Sequence, residues 1–237
     1  MHWSIPAMML AGLGGIVIVA SYGPAWVWLL VPLGILAQML NEYSLHRHVF
    51  HLPPPEQQWK FDLLYQAHYG HHDFPTNLPL FFAPGWVTLP LLAINFLVLW
   101  ALLALIGLNA APSISAAIVL VGGVMTFLAY EWFHMTAHLT CRKTWIERHV
   151  STLHNQHHFR DFSRWFHVSP GGHIIDRAMG TAISREALKP QQRIEFIRTL
   201  GMKPDDPRLV AARQRFADKY GLSAEEIRLA AINKANA

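Results

Sequence analysis

The chain has 237 residues, enough for one sizeable domain or for a membrane bundle with a small appendage. Only 14% of residues are charged and 52% are hydrophobic, against ~25% charged in soluble domains. All 19 basic and 15 acidic side chains lie between Glu42 and Asp73 or from Glu131 onward, while residues 1–41 and 74–130 carry none. A soluble protein scatters charge over its surface, so this distribution excludes one and marks an integral membrane protein. The net charge of +4 does not point to nucleic acid, because basic residues confined to a few segments mark the cytoplasmic side of a membrane protein. A single cysteine, Cys141, excludes an intramolecular disulfide and a cysteine-based zinc site, and reads as an ordinary small thiol. The N-terminus lacks the basic region that a cleavable signal needs.

In chain order, Ile5 to Tyr22 is apolar but short for a full span. A tilted, shallow or partly re-entrant segment is expected there, with Gly12, Gly14 and Gly15 allowing close helix contact. Gly23-Pro24 breaks it, and Trp26 and Trp28 follow as at a membrane interface. Ala25 to Leu40 forms the second segment and is expected to continue as a helix through Glu42 to about Phe50, where Pro53, Pro54 and Pro55 end it. Residues 56–73 are polar and partly helical. Pro75, Pro79 and Pro84 then punctuate a stretch suited to the membrane surface. Trp86 to Leu108 is 23 uncharged residues, the clearest span. After a turn at Asn109 to Ser113, Ile114 to Tyr130 returns and extends to His138.

These segments predict an all-α integral membrane fold with about four transmembrane helices in two hairpins. A cytosolic helical cap would carry the histidines, with both termini on the cytoplasmic side. The loops around Gly23-Pro24 and Asn109 to Pro112, on the other face, carry no charge. Residues 1–186 are read as the membrane domain and 187–237 as a soluble helical tail. In the tail, Gln191 to Leu200 ends at Gly201, Arg208 to Tyr220 follows Pro207, and Ser223 to Glu226 forms a capping box. Its amphipathic pattern fits packing onto the cytoplasmic cap.

Histidine supplies the chemistry. Of 15 histidines, ten form a repeated pattern: a pair at His46 and His51 precedes His68, His71 and His72, and a pair at His134 and His138 precedes His154, His157 and His158. Neutral imidazole suits Fe, Zn, Cu and Ni. On an α-helix, residues at i, i+3 and i+4 share a face, so each H-x-x-H-H run is expected to converge on one point. His46 and His51, five apart, are rotated by about 140° on an α-helix, so either the helix ends before His51 or the two ligate different metals. His48 is an equal candidate from its i, i+3 spacing to His51. The pattern suggests two metal ions at one shared site near the membrane surface. It differs from cysteine zinc sites and from the glutamate-rich soluble di-iron bundles. His2, His149, His167 and His173 are expected to be ordinary, with the last two at the surface.

At these residues the chain resembles the fatty acid hydroxylase/sterol desaturase superfamily of integral-membrane di-iron enzymes. The resemblance runs from about Glu42 to Thr181 and rests on LHRHVFH (45–51), HYGHHDFP (68–75), YEWFHMTAH (130–138), LHNQHHF (153–159) and Asp176 to Thr181. Fatty acid 2-hydroxylases are the members most similar in motif. Residue by residue, the resemblance implies metal ligation by His46, His51, His68, His71, His72, His134, His138, His154, His157 and His158, which favours His46 over His48. Glu131 stands where the family often has Asp, and with Tyr130 the resemblance implies a pair beside the site supporting a ligand. Trp165 to His173 departs from the family's usual segment. The implied cofactors are two iron ions, with zinc able to replace them, and O2 as co-substrate. The implied activity is O2-dependent hydroxylation of a fatty acyl or sphingolipid chain. Sterol desaturation and carotenoid hydroxylation share the histidine code. A non-catalytic metal-binding membrane protein would distribute its histidines across the membrane, whereas these lie on one side. No cytochrome b5-like segment is present, so a separate electron donor, cytochrome b5-like or ferredoxin-like, is expected.

Overall fold

A computed structural model describes residues 2–183 and 200–232, and within them every regular element is helical, with no β-strand. The helix expected at Gln191 to Leu200 lies outside the described residues except for Leu200. Helix α1 is Ser4–Tyr22 and α2 is Ala25–Phe50, with α3 over residues 58–73. A 3₁₀ turn at Leu78–Leu80 precedes α4, Gly85–Leu105, and α5 is Ala111–His138. The remaining helices are α6 (Trp145–Phe159), α7 (His173–Ala178), α8 (Pro207–Arg215), α9 (Ala217–Tyr220) and α10 (Ala224–Ala231). Among the described residues, four stretches are long and apolar enough to cross a membrane: α1, α2, Leu78–Leu105 and α5. The protein is an all-α, multi-pass membrane protein. The first span is one unbroken helix of 19 residues, about 28 Å at 1.5 Å per residue and close to the ~30 Å hydrocarbon core, so no re-entrant segment is needed. The turn expected at Asn109 to Ser113 gives way early to α5 at Ala111, because Pro112 falls in its first turn, where its missing N–H costs nothing.

The chain packs as two compact units, Met1–Glu42 with Ala83–Trp132, and Tyr43–Phe82 with Phe133–Ala237. In the first, Val19, Val27, Ile114, Ala116, Ala117 and Val121 form one core and Met8, Val124 and Phe127 another. Lipid is as apolar as leucine, so such helices hold together by close packing rather than by escape from water. Small residues provide it: a Cβ on Gly15 would lie 2.5 Å from Leu120 Cβ, and one on Gly122 would lie 2.5 Å from Val31 O. Gly14, grouped with Gly12 and Gly15 from sequence, meets nothing and faces outward. Leu10, Leu29 and Leu105 are 69–82% exposed, as side chains facing lipid should be.

The second unit contains α3, α6 to α10, and the continuations of α2 and α5. Its core joins Phe61, Tyr65 and Tyr69 of α3 to Leu209, Ala212, Tyr220 and Ala230. Capping boxes open α6 (Thr144 with Glu147) and α10 (Ser223 with Glu226), the second as the sequence predicted. The helix expected over Arg208 to Tyr220 is divided at Phe216, whose ring stacks on Tyr65 with centroids 6.1 Å apart, and Gly221 at φ +64° ends α9. Two π turns, His46–Phe50 at the end of α2 and Tyr65–Tyr69 within α3, occur where histidines are presented.

Candidate metal centre

The ten patterned histidines come together in the second unit as two groups of five. His46, His51, His68, His72 and His157 form one, and His71, His134, His138, His154 and His158 the other. In each group one ring nitrogen per residue lies within 4.8 Å of all the rest. The π turn answers the question of His46 and His51. Its i→i+5 hydrogen bond, from His51 N–H to His46 O at 3.1 Å, stacks residues five apart nearly over one another. His48 is left exposed on the same turn.

The two H-x-x-H-H runs do not each converge on one point, as the sequence suggested. His68 and His72 join the first group while His71 joins the second. Conversely, His154 and His158 join the second group and His157 the first. Helical geometry gives the reason: i+4 advances by about +40° and i+3 by about −60°, so the i, i+4 pair turns one way and the i+3 residue the other. Each run therefore serves both groups, and the stacked rings of His72 and His158, 4.1 Å apart, adjoin them.

The ring nitrogens face one another. His68 Nε2 lies 3.1, 3.0 and 3.0 Å from the Nε2 atoms of His46, His51 and His72. In the second group His134 and His71 approach to 2.9 Å, and His138 and His154 to 2.8 Å. Nitrogens held about 2.1 Å from one ion at right angles would lie roughly 3 Å apart, so these spacings suit a shared cation. The buried Nε2 atoms of His157 and His158 meet no protein hydrogen-bond partner, which leaves their lone pairs for a metal. Burial first, then neighbouring imidazoles, hold His51, His68, His71, His72, His154, His157 and His158 well below the ordinary histidine range. They are neutral, the form that ligates.

Main-chain carbonyls orient three of the rings. His134 Nδ1–H donates to Phe81 O (2.8 Å), His157 Nδ1–H to Arg164 O (2.6 Å) and His46 Nδ1–H to Phe166 O. Each contact turns Nε2 toward the group. The segment 164–168 is fixed in turn by Asp176, whose buried carboxylate accepts from Phe166 N–H (2.9 Å), His167 N–H (3.1 Å) and Thr181 Oγ–H (2.8 Å). Sequence reasoning did not find Phe81, Arg164 or Phe166. Their contribution is a backbone carbonyl, which leaves no side-chain signal. The closing motif from Asp176 to Thr181 was the one trace of this support.

Tyr130 and Glu131 belong to neither histidine group. Both lie in the first unit, where Tyr130 packs against Met8, Val124 and Phe127 and buried Glu131 accepts from Ala83 N–H (3.0 Å). His167, expected at the surface, is buried beside Gly172, which leaves room for its ring, while His173 pairs with His149 at 4.9 Å; none of them joins a group. A cavity of about 370 Å³ lies next to His51, lined by Arg47, Phe162, Ser163, Arg164, Phe166, Gly180 and Thr181.

Four membrane helices and paired five-imidazole groups define a multi-pass membrane protein with a histidine site able to hold metal ions. Residues 31–181 match the fatty acid hydroxylase family, and the chain belongs to that family. It is 30% identical to the dihydroceramide fatty acyl 2-hydroxylase FAH2 of Arabidopsis thaliana over 184 residues, covering 76% of this chain and 72% of the relative. With FAH1 of the same plant, likewise a dihydroceramide fatty acyl 2-hydroxylase, it shares 27% identity over 164 residues, 69% of this chain and 64% of that protein. The fold is similar to that of full-length scs7p, in whose structure only the hydroxylase domain is visible. The TM-score is 0.67 at 22% identity, over 81% of this chain and 69% of that one.

Proposed function

We propose that this protein is a membrane-bound, O2-dependent di-iron hydroxylase that places a hydroxyl group on a fatty acyl chain, with a dihydroceramide-type sphingolipid, the compound for which its relatives are named, as the substrate. The observation that carries this reading is the pair of five-histidine groups joined through His72 and His158. Two iron ions held there, one by His46, His51, His68, His72 and His157 and one by His71, His134, His138, His154 and His158, would supply O2 activation and attack on an unactivated C–H bond. Zinc suits the same nitrogens and can replace iron on purification.

The chain's own residues do the rest. Imidazole ligates in its neutral form, so metal ions held by these ten nitrogens would have none of their positive charge cancelled by the ligands. Arg164 O, Phe166 O and Phe81 O fix which nitrogen of His157, His46 and His134 faces inward. Glu131 has an indirect part: it fastens Ala83, two residues along the chain from the Phe81 whose carbonyl orients His134. The cavity beside His51, with Phe162 and Phe166 on its walls and Arg47 and Arg164 among its lining, offers the substrate's polar end a place near the first group. Electrons come from a separate donor, cytochrome b5-like or ferredoxin-like. The confinement of every Lys and Arg to residues 47–60 and 142 onward supports a cytoplasmic placement of the site and both termini.

The test is lipid profiling of a host expressing the wild type beside His157→Ala. Wild-type cells should accumulate 2-hydroxylated acyl chains and the variant none. An unchanged lipid profile with wild-type protein present in the membrane, alongside a supplied electron donor, would overturn the reading.

A further inference from the structure

We infer that Arg213, acting through Asp73, sets the position of the helix that presents His68, His71 and His72. The inference rests on the metal reading of those residues. Asp73 directly follows His72 and ends α3. Its carboxylate takes two bonds from one guanidinium, Arg213 Nε–H to Oδ2 at 2.7 Å and Nη2–H to Oδ1 at 2.8 Å, and a third from Tyr65 O–H at 3.1 Å. Arg213 Nη1–H donates to Pro204 O at 2.6 Å. Arg213 is 0% exposed and Asp73 1%.

A pair buried this deeply gains little net stability, because removing two charges from water offsets their attraction. What a fork-shaped, bidentate pair does provide is one defined geometry. That geometry matters at this place, since α3 feeds both histidine groups. A rotation of its last turn would move His71 away from the second group as it moved His68 and His72 within the first. Further ties from the same C-terminal segment hold α3 at both ends. Arg208 Nη1–H donates to Pro54 O (3.0 Å) and Pro55 O (3.1 Å) ahead of α3, and Asn77 Nδ2–H donates to Tyr220 O (2.8 Å) beyond it. Arg213 belongs to neither histidine group; it is a positioning residue. The C-terminal segment thereby acquires a role in the metal centre 140 residues away in sequence.

Two variants of the full chain test this. Arg213→Lys keeps the charge and loses the fork. The pair Asp73→Leu with Arg213→Met removes both charges together while filling their space, so neither charge is left buried and unpaired. Two readouts apply: Zn²⁺ affinity by chelator competition, and amide hydrogen exchange of residues 68–73 in metal-free protein. The double variant should stay folded, with a melting temperature lowered only as far as the orphaned Tyr65 hydroxyl and Pro204 carbonyl require, bind Zn²⁺ about 10–100-fold more weakly, as loss of a ligand's support does, and exchange faster over 68–73. Arg213→Lys should fall between it and wild type. Wild-type affinity with unchanged exchange in both variants would overturn the inference and leave the pair a matter of packing. Wild-type protein that bound no metal would instead overturn the metal reading, and the exchange comparison would still decide whether Arg213 positions α3.

Discussion

Replacing His68 with alanine should leave a folded membrane protein that holds about one metal ion per chain in place of two and makes no hydroxylated product. His68 Nε2 is the hub of the first group, within 3.1 Å of three other Nε2 atoms. The second group takes His71 from the same run but none of its nitrogens from His68, so it should keep its ion. Activity should fall below about one-hundredth of wild type, since even loss of a residue that only orients a ligand costs 10–100-fold. His48→Ala is the matched control, because His48 is exposed on the same turn and outside both groups; it should keep both ions and full activity. Metal analysis per chain and mass spectrometry of the lipid product read both variants. Two ions retained in His68→Ala, or a comparable loss in His48→Ala, would contradict the assignment.

Asp176→Asn should weaken the first group without touching a single ligand. The Asp176 carboxylate accepts three hydrogen bonds while 0% exposed. Asparagine puts an NH2 where an oxygen now accepts, so a backbone N–H of Phe166 or His167 would face another donor. An unsatisfied buried donor costs about 1–3 kcal/mol. The segment has little slack to absorb this. Trp165 sits at φ +52°, a conformation that side chains rarely adopt, and is held there by its N–H to Thr181 O (3.0 Å) and its Nε1–H to Gln156 Oε1 (2.9 Å). Loosening it releases Arg164 O and Phe166 O together, the carbonyls that orient His157 and His46, both in the first group. Metal affinity there should drop by about 10–100-fold, with the second group less affected. Denaturant unfolding and a two-step metal titration measure the two effects. Uniform weakening of both groups would assign Asp176 a general structural role instead.

The membrane segments were legible because charge is expensive in lipid: residues 1–41 and 74–130 carry none, and the four long apolar helices lie mainly on those stretches, two of them running on past Glu42 and Glu131. The ten histidines were legible because their spacing repeats. Their partition was not. Treating H-x-x-H-H as one face hid the opposite turns of i+3 and i+4, which send His71 and His157 across to the other group. His46 and His51 looked incompatible because a π turn closing with an i→i+5 bond is not written in apolar periodicity. The supports were least visible. Arg213 reaches Asp73 across 140 residues of sequence, and the carbonyls of Phe81, Arg164 and Phe166 act through atoms that every residue possesses. His167 reads as a surface histidine by composition, yet a glycine at 172 makes room to bury it.

One measurement bears on the whole chemical reading: iron-loaded protein in membranes, supplied with a dihydroceramide, an electron donor and ¹⁸O2. The expected outcome is a 2-hydroxylated acyl chain carrying one labelled oxygen, formed by the wild type and absent with His68→Ala. An alkene without label would mean desaturation, and a hydroxyl without label, or product formation that survives loss of His68, would contradict an oxygen-activating histidine centre.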